Sequence, residues 1–238
     1  MIRDLPPALL LDLDDTILRY GAGGEGLWQE MLAPHAEQLG LAVAVMEAAV
    51  RAVAGPYWSD PEQARAGRLD MRAARRAIVA GAFERLGVDD PERGELLADS
   101  FTWEREARME PLPGALEAVD RMRAEGHRLV LVTNGGPVFQ RAKLARFGLE
   151  RHFDAVFVEG ELGYGKPDPR VFLAALEAAV ARADDAWMVG DNLSADIAGA
   201  QAVGIHAVWV DHGGEGPPVD APARPDRVVT GLADLLNG

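Results

Sequence analysis

The hydrophobic pattern of this chain changes period twice. Residues 8–13 (Ala-Leu-Leu-Leu-Asp-Leu) are apolar except for Asp12 and follow Pro6-Pro7. A run without alternation predicts a central parallel strand covered on both faces. Asp14-Asp15-Thr16 and the glycines Gly21, Gly23, Gly24 and Gly26 then predict a loop. From residue 27 to 110 the period is helical, with almost no strand signal, and helices are predicted over 27–39, 43–54, 69–86 and 91–109. Asp90-Pro91 supplies an N-cap followed by proline at the first helical position. Gly87 supplies a stop for the third helix, and Pro34 predicts a kink or a later start in the first.

From Pro111 the pattern alternates. Helices are predicted over 114–125, 137–147 (closing at Gly148), 168–182 and 194–203. Strands are predicted over 128–133, 155–158, 187–189 (ending at Gly190-Asp191) and 206–210. A Pro/Gly-rich loop over 213–225 leads to a short strand near Val228 and a last helix near 232–236. Such alternation implies right-handed βαβ units on a parallel sheet. Because the first strand precedes the helical block and the others follow it, the block is an insertion. The expected fold is α/β: a Rossmann-like three-layer core from residues 1–17 and 111–238, and an inserted α-helical cap at 18–110.

Charge narrows the function classes. The 24 basic and 38 acidic residues of the 238 leave a net charge of −14, a field that repels nucleic-acid backbones and anionic lipid. The expected partner is therefore neither nucleic acid nor membrane, while a small anion stays admissible if a local device reverses the field. With no cysteine, disulfides, thiolate catalysis and zinc-thiolate sites are excluded. No apolar run approaches the roughly 18 residues of a membrane span, and Leu9-Leu10-Leu11 stops at Asp12 without a basic flank, unlike a signal peptide. A cytoplasmic protein, monomer or homodimer, is expected. Only two basic residues are lysines, Lys143 and Lys166.

Ligands of open α/β sheets bind at the carboxyl ends of the strands. The first predicted strand ends in Asp12-Leu13-Asp14-Asp15-Thr16, the second in Thr133-Asn134-Gly135-Gly136 and the fourth in Gly190-Asp191 with Asp196 beyond; the loop after the third carries Gly165-Lys166-Pro167-Asp168. Carboxylates converging on one point need a positive partner. Mg²⁺ is the natural candidate, since it takes oxygen ligands and is held by one or two carboxylates plus substrate phosphate. Lys166 adds a second positive charge. Thr133 and Asn134, with free backbone N–H groups at the helix beginning near Pro137, would cradle phosphate oxygens. A carboxylate can attack phosphorus, and a second one two positions on can protonate the leaving oxygen. Asp12 is assigned as nucleophile and Asp14 as acid/base.

These motifs resemble those of the haloacid dehalogenase superfamily. Asp12-x-Asp14-x-Thr16 is similar to its first motif, Thr133 to its second, Lys166 to its third and Gly190-Asp191-x4-Asp196 to its fourth. The resemblance implies an aspartyl-phosphate on Asp12, Mg²⁺ bound by Asp12, the backbone carbonyl of Asp14, and Asp191, and a helical cap after the first motif. Leu131-Val-Thr-Asn-Gly135 and Gly165-Lys-Pro-Asp-Pro-x-x-Phe172 are similar to the branch holding N-acylneuraminate-9-phosphatase and pyrimidine nucleotidases. The expected activity is Mg²⁺-dependent hydrolysis of a small phosphorylated metabolite. A phosphomutase, a dehalogenase and a non-enzymatic phospho-receiver are the alternatives.

Plainer readings stand beside these. Thr16 fits a backbone hydrogen bond in its turn, or a supporting role at the site. Asn134 fits a turn with Gly135 or a phosphate contact. Asp196 fits a first-turn helix acid or support of the metal or of Lys166, and Asp168 a helix cap. His35, His127, His152, His206 and His212 are too scattered for a metal cluster. Trp28, Tyr57, Trp58 and Trp103 read as core of the inserted block, and Arg65, Arg68, Arg72, Arg75 and Arg76 as a solvated helix face, one of which could read the leaving group. Tyr20 and the following glycines read as a hinge or flap.

Overall fold

The computed structural model describes residues 5–20 and 26–236. The predicted glycine loop at Gly21, Gly23 and Gly24 lies outside them. The chain divides into two compact units, one from residues up to Arg19 and from Glu110 onward, the other Tyr20–Met109.

The first unit is a six-stranded parallel sheet flanked by helices. Strand β1 (Ala8–Leu11) is completely buried, as its unbroken apolar run requires. The chain then makes a two-residue ribbon, β2 (Leu18–Arg19) antiparallel to β3 (Glu110–Pro111), where the helical insertion leaves and rejoins. Neither short strand carries a period, so the sequence places the boundaries two residues earlier and one residue later. After α6 (Ala115–Ala124) come β4 (Arg128–Thr133), α7 (Pro137–Arg146), β5 (Ala155–Val158), the one-turn α8 (Glu159–Leu162) and α9 (Pro169–Ala179). Then follow β6 (Ala186–Gly190), a wide π-helical turn over Leu193–Ala198, β7 (His206–Val210) and β8 (Arg227–Val229). The strand order is β5-β4-β1-β6-β7-β8. The strand order switches sides at β1, with β4 and β5 on one side and β6 to β8 on the other, so the ends of β1, β4 and β6 meet at the crevice where such sheets bind ligands. Leu10, Val130, Val132 and Met188 of the sheet share one buried cluster with Val171, Phe172 and Ala175 of α9.

Local chemistry trims the predicted elements. Helix α9 ends at Ala179, short of Arg182, because Val180 turns left-handed with φ 54°. The predicted helix over 194–203 opens with the wide turn instead: Asn192 accepts from the N–H groups of Ser194 and Ala195 at 3.0 and 2.8 Å, and Asp196 accepts from Asn192 N–H at 2.9 Å. The last predicted helix is one 3₁₀ segment, Leu232–Leu236.

The second unit is wholly helical among its described residues: α1 (Leu27–Leu39), with Pro34 inside it, then α2 (Val43–Ser59), α3 (Pro61–Leu69), α4 (Met71–Leu86) and α5 (Pro91–Ala107). The second outruns its predicted end at Ala54, passing Pro56 so that Tyr57 reaches the apolar cluster of Ala49, Val50, Ile78 and Ala82. Helix Pro61–Leu69 was not predicted, because too few of its residues are apolar to show a period. Its Asp60-Pro61 start repeats the Asp90-Pro91 signal, and Asp60 accepts from Gln63 N–H at 2.8 Å. Asp70 caps the next helix at Ala73 N–H, so that helix starts at Met71 and not at Leu69. Trp28 stacks on Phe101 at 3.7 Å, but Trp58 and Trp103 are exposed, correcting their reading as core. The arginine row is corrected at Arg75, which is 5% exposed. No single helix among the described residues is long and apolar enough to cross a membrane.

Candidate active site

Every predicted site residue lies in the first unit. Asp12 is the first residue past β1, and its N–H extends the ladder to Val189 O of β6 at 3.0 Å. Its carboxylate is buried, accepts from the Lys166 ammonium at 2.5 Å and from Thr16 Oγ1 at 3.3 Å. Thr16 thus spends its hydroxyl on a carboxylate, not on its own turn. Asp15 holds that turn, at φ 56° with its N–H on Leu18 O and its carbonyl on His212 Nε2. Lys166 also pairs with Asp196 at 2.6 Å, so one buried ammonium sits between two carboxylates. Asp191, at the end of β6, is oriented by Trp209 Nε1, which donates to its backbone carbonyl at 2.7 Å.

Asp12, Asp191 and Asp196 each present an oxygen, and the three lie within 4.8 Å of one another. The donors are all oxygen, which suits a hard divalent cation. Asp196 therefore joins the group directly, where the sequence left it between a helix-turn acid and a supporting residue. The side chain of Asp14 is not part of the group. Charge balance supports a cation here. Burial, opposed by Lys166 and reinforced by Asp196, raises Asp12 to about 7. Burial, then Asp12 and Asp196, raise Asp191 to about 8. Lys166 resists burial and is held above its usual range by Asp12 and Asp196. One lysine is too little positive charge for these carboxylates at neutral pH. Packing leaves no slack, because a Cβ on Gly190 would run into the Asp196 carboxylate.

The surroundings of Asp14, Asn134 and the loop amides go beyond what the sequence showed. Asp14 does not stand alone: both its oxygens accept from the buried Lys143 ammonium at 2.8 Å, and Oδ2 accepts from Gln140 Nε2 at 3.0 Å. The same Gln140 amide donates to Thr133 Oγ1 and Asn134 O, tying the ends of β1 and β4 together. Asn134 does more than start a turn. Its Oδ1 accepts from the Lys166 backbone N–H at 2.8 Å and its Nδ2 donates to the Lys166 carbonyl at 2.7 Å, and so they hold that lysine in place. The predicted free amides are fewer, since the Gly135 N–H donates to the buried carboxylate of Glu159 at 3.1 Å. A Cβ on Gly165 would strike Asn134 and Glu159, so these parts close-pack. Asp168 caps α9 at Arg170 N–H, 2.9 Å.

Sequence reasoning missed Lys143, Gln140 and Glu159. A signal existed for the first two: they are three apart on α7, so they share a face, and Lys143 is the second of only two lysines. Glu159 gave none, because only folding buries it.

Residues 6–204 match the haloacid dehalogenase-like hydrolase family. The chain is similar to the phosphoserine phosphatase of Thermus thermophilus, at 38% identity over 96% of this chain and 97% of the relative. It is also similar to the pyrimidine 5′-nucleotidase YjjG of Escherichia coli, at 30% identity over 78% and 80%. Its structure resembles that of the magnesium-bound HAD hydrolase YfnB from Bacillus subtilis, with TM-score 0.74, 22% identity and 98% of each chain covered.

Proposed function

Because the chain belongs to the haloacid dehalogenase-like hydrolases, we propose that it hydrolyses the phosphomonoester bond of a small phosphorylated metabolite through an aspartyl-phosphate on Asp12. The observation that carries this reading is the buried Asp12–Lys166 pair beside Asp191 and Asp196, at the end of β1. The phosphatase names of the Thermus and Escherichia relatives support the substrate class. Asp12, Asp191 and Asp196 fit Mg²⁺, with the carbonyl of Asp14 as a further ligand suggested by the family resemblance. Bound there, Mg²⁺ would neutralise charge on the carboxylates and on the phosphoryl oxygens.

The residues divide the work. An Asp12 oxygen forms the bond to phosphorus as the ester oxygen leaves, and Asp14 gives that oxygen its proton. Asp14 then takes a proton from the water that attacks the aspartyl-phosphate, releasing inorganic phosphate and restoring Asp12. Lys166, fixed by Asn134, compensates charge on the phosphoryl group. A phosphate-release screen over sugar phosphates, nucleoside monophosphates and amino-acid phosphates, with Mg²⁺ and again with EDTA, tests this. Metal-dependent phosphate is expected; isomerised substrate, halide release, or a long-lived phosphoprotein without turnover would each select one of the alternatives.

Two further results are expected. Lys143 and Gln140 aim Asp14, so Lys143→Met should lower kcat by about 100-fold on alkyl phosphates, within the span of general-acid effects. On p-nitrophenyl phosphate, whose leaving group needs no proton, the same variant should lose far less. Equal losses on both substrates would remove Lys143 from proton transfer.

Metal-free stability should also depend on pH. Asp12 and Asp191 bind protons more tightly folded than their ordinary value of 3.8 allows when unfolded. The stability they contribute is whole below about pH 4 and is lost as pH rises through about 7 to 8. Mg²⁺ at about 100 times its Kd should then raise Tm at pH 8 by about 5 to 10 °C, and by much less at pH 5. Thermal melts in EDTA and in Mg²⁺ measure both.

A further inference from the structure

The helical unit holds two arginines that have no ion-paired carboxylate among the described residues. Its other ion-paired arginines show what is usual there. Arg72 and Arg76 share Asp99, Arg93 pairs with Asp90, and Arg108 pairs with Glu30 and Glu104. Arg75 and Arg105 differ. Among the described residues neither has a carboxylate within ion-pair distance. Arg75 is 5% exposed; its Nη2 donates to the Tyr20 hydroxyl at 3.0 Å, while its Nη1 is buried with no partner. The Arg75 guanidinium also lies 5.2 Å from the Phe101 ring centre. Arg105 stacks on the Tyr20 ring at 4.2 Å, donates from Nη2 to Tyr20 O at 3.0 Å, and leaves a buried Nε without a partner. Burial depresses the proton affinity of Arg75; Tyr20 partly offsets this and Arg105 adds to it, while Glu106 acts only through its field.

A buried cation with an unmade hydrogen bond is costly. It is more so beside a second cation, and this chain has 14 more acids than bases to draw on. Leaving these two arginines without an acid keeps their donors for a group that arrives from solution. The planar forks match a carboxylate, which takes two parallel N–H donors. We propose that Arg75, Arg105 and Tyr20 form a binding site for a carboxylate. It is a recognition element distinct from the aspartate group, and it rests on the phosphatase reading only where the carboxylate belongs to the phosphomonoester itself.

Kinetics and melting separate the sources. O-Phosphoserine and phosphoethanolamine differ only in a carboxylate. If the substrate carries the ligand, kcat/KM favours phosphoserine by about 10- to 100-fold, the worth of charge-assisted hydrogen bonds. Arg75→Met should bring that ratio close to one, and Arg75→Lys, which keeps the charge but not the fork, should restore only part of it. Arg105→Met, at a half-buried position, should lower the ratio without risk to the core. If the ligand is a free carboxylate, malonate should raise the Tm of the metal-free wild-type protein and not that of the folded Arg105→Met variant. A wild-type ratio near one together with no malonate shift overturns the proposal, as does a preference for phosphoserine that is unchanged in both Met variants together with no malonate shift. If neither ester releases phosphate, the carboxylate is not read on such an ester and the malonate melts alone decide the site, while the phosphatase reading is judged by the wider phosphate-release screen.

Discussion

Asp12→Asn is expected to abolish phosphate release, with a loss on the order of 10⁴-fold or more, as when other enzymes lose a nucleophile. Asparagine keeps the shape of the side chain and removes the anion that attacks phosphorus. The same change should raise stability. Asp12 is raised to about 7, chiefly by burial, so at pH 8 the metal-free fold holds a charge it would rather lose. A neutral isostere relieves that cost although it gives up the 2.5 Å contact with Lys166. Melts at pH 8 in EDTA should therefore show a higher Tm for Asp12→Asn than for wild type, while activity vanishes. Such an exchange of stability for chemistry is expected where carboxylates are crowded for function. Undiminished hydrolysis would remove Asp12 from the nucleophile role, whatever the melts show.

Lys166→Met is expected to harm both properties. The Lys166 ammonium touches Asp12 and Asp196 at 2.5 and 2.6 Å and is almost fully buried. Removing one partner of a buried ion pair leaves an uncompensated charge, at a cost of about 3 to 5 kcal/mol. For a chain of this length that lowers Tm by about 6 to 20 °C. The loss should be largest in EDTA at pH 8, where the aspartates have no other counter-charge, and smaller at pH 5, where they protonate. Mg²⁺ should recover part of the stability but not the activity, because the positive charge near the phosphoryl group is gone. Equal destabilisation at pH 5 and pH 8 would mean that Lys166 acts by packing alone.

The contrast between the two lysines shows how far the chain can be read without coordinates. Lys166 stands in a Gly-Lys-Pro-Asp-Pro segment after a predicted strand, so its place near the strand ends follows from topology. Lys143 lies mid-helix, and although it shares a face with Gln140, that spacing does not say what the face meets. It becomes a partner of Asp14 only because α7 packs so that its Gln140–Lys143 face meets the end of β1. Asn134 shows the same limit. Its side chain fits a turn or a phosphate contact equally well by sequence, and the tertiary contact with the Lys166 backbone, 32 residues away, gives it a third role.

By itself, the sequence determined the alternation of strands and helices, the insertion after the first strand, and which strand ends carry acids, hydroxyl and lysine. These depend on period and on residue type, and both are local. The tertiary structure alone decided which charges meet. It brought Asp196 in with Asp12 and Asp191, turned Asp14 toward Lys143, closed the Gly135 amide with Glu159, and left Arg75 and Arg105 without an ion-paired acid among the described residues. Hydrogen bonds form only at contact and ion pairs are strongest there, so they are set by side chains far apart in sequence that packing makes neighbours.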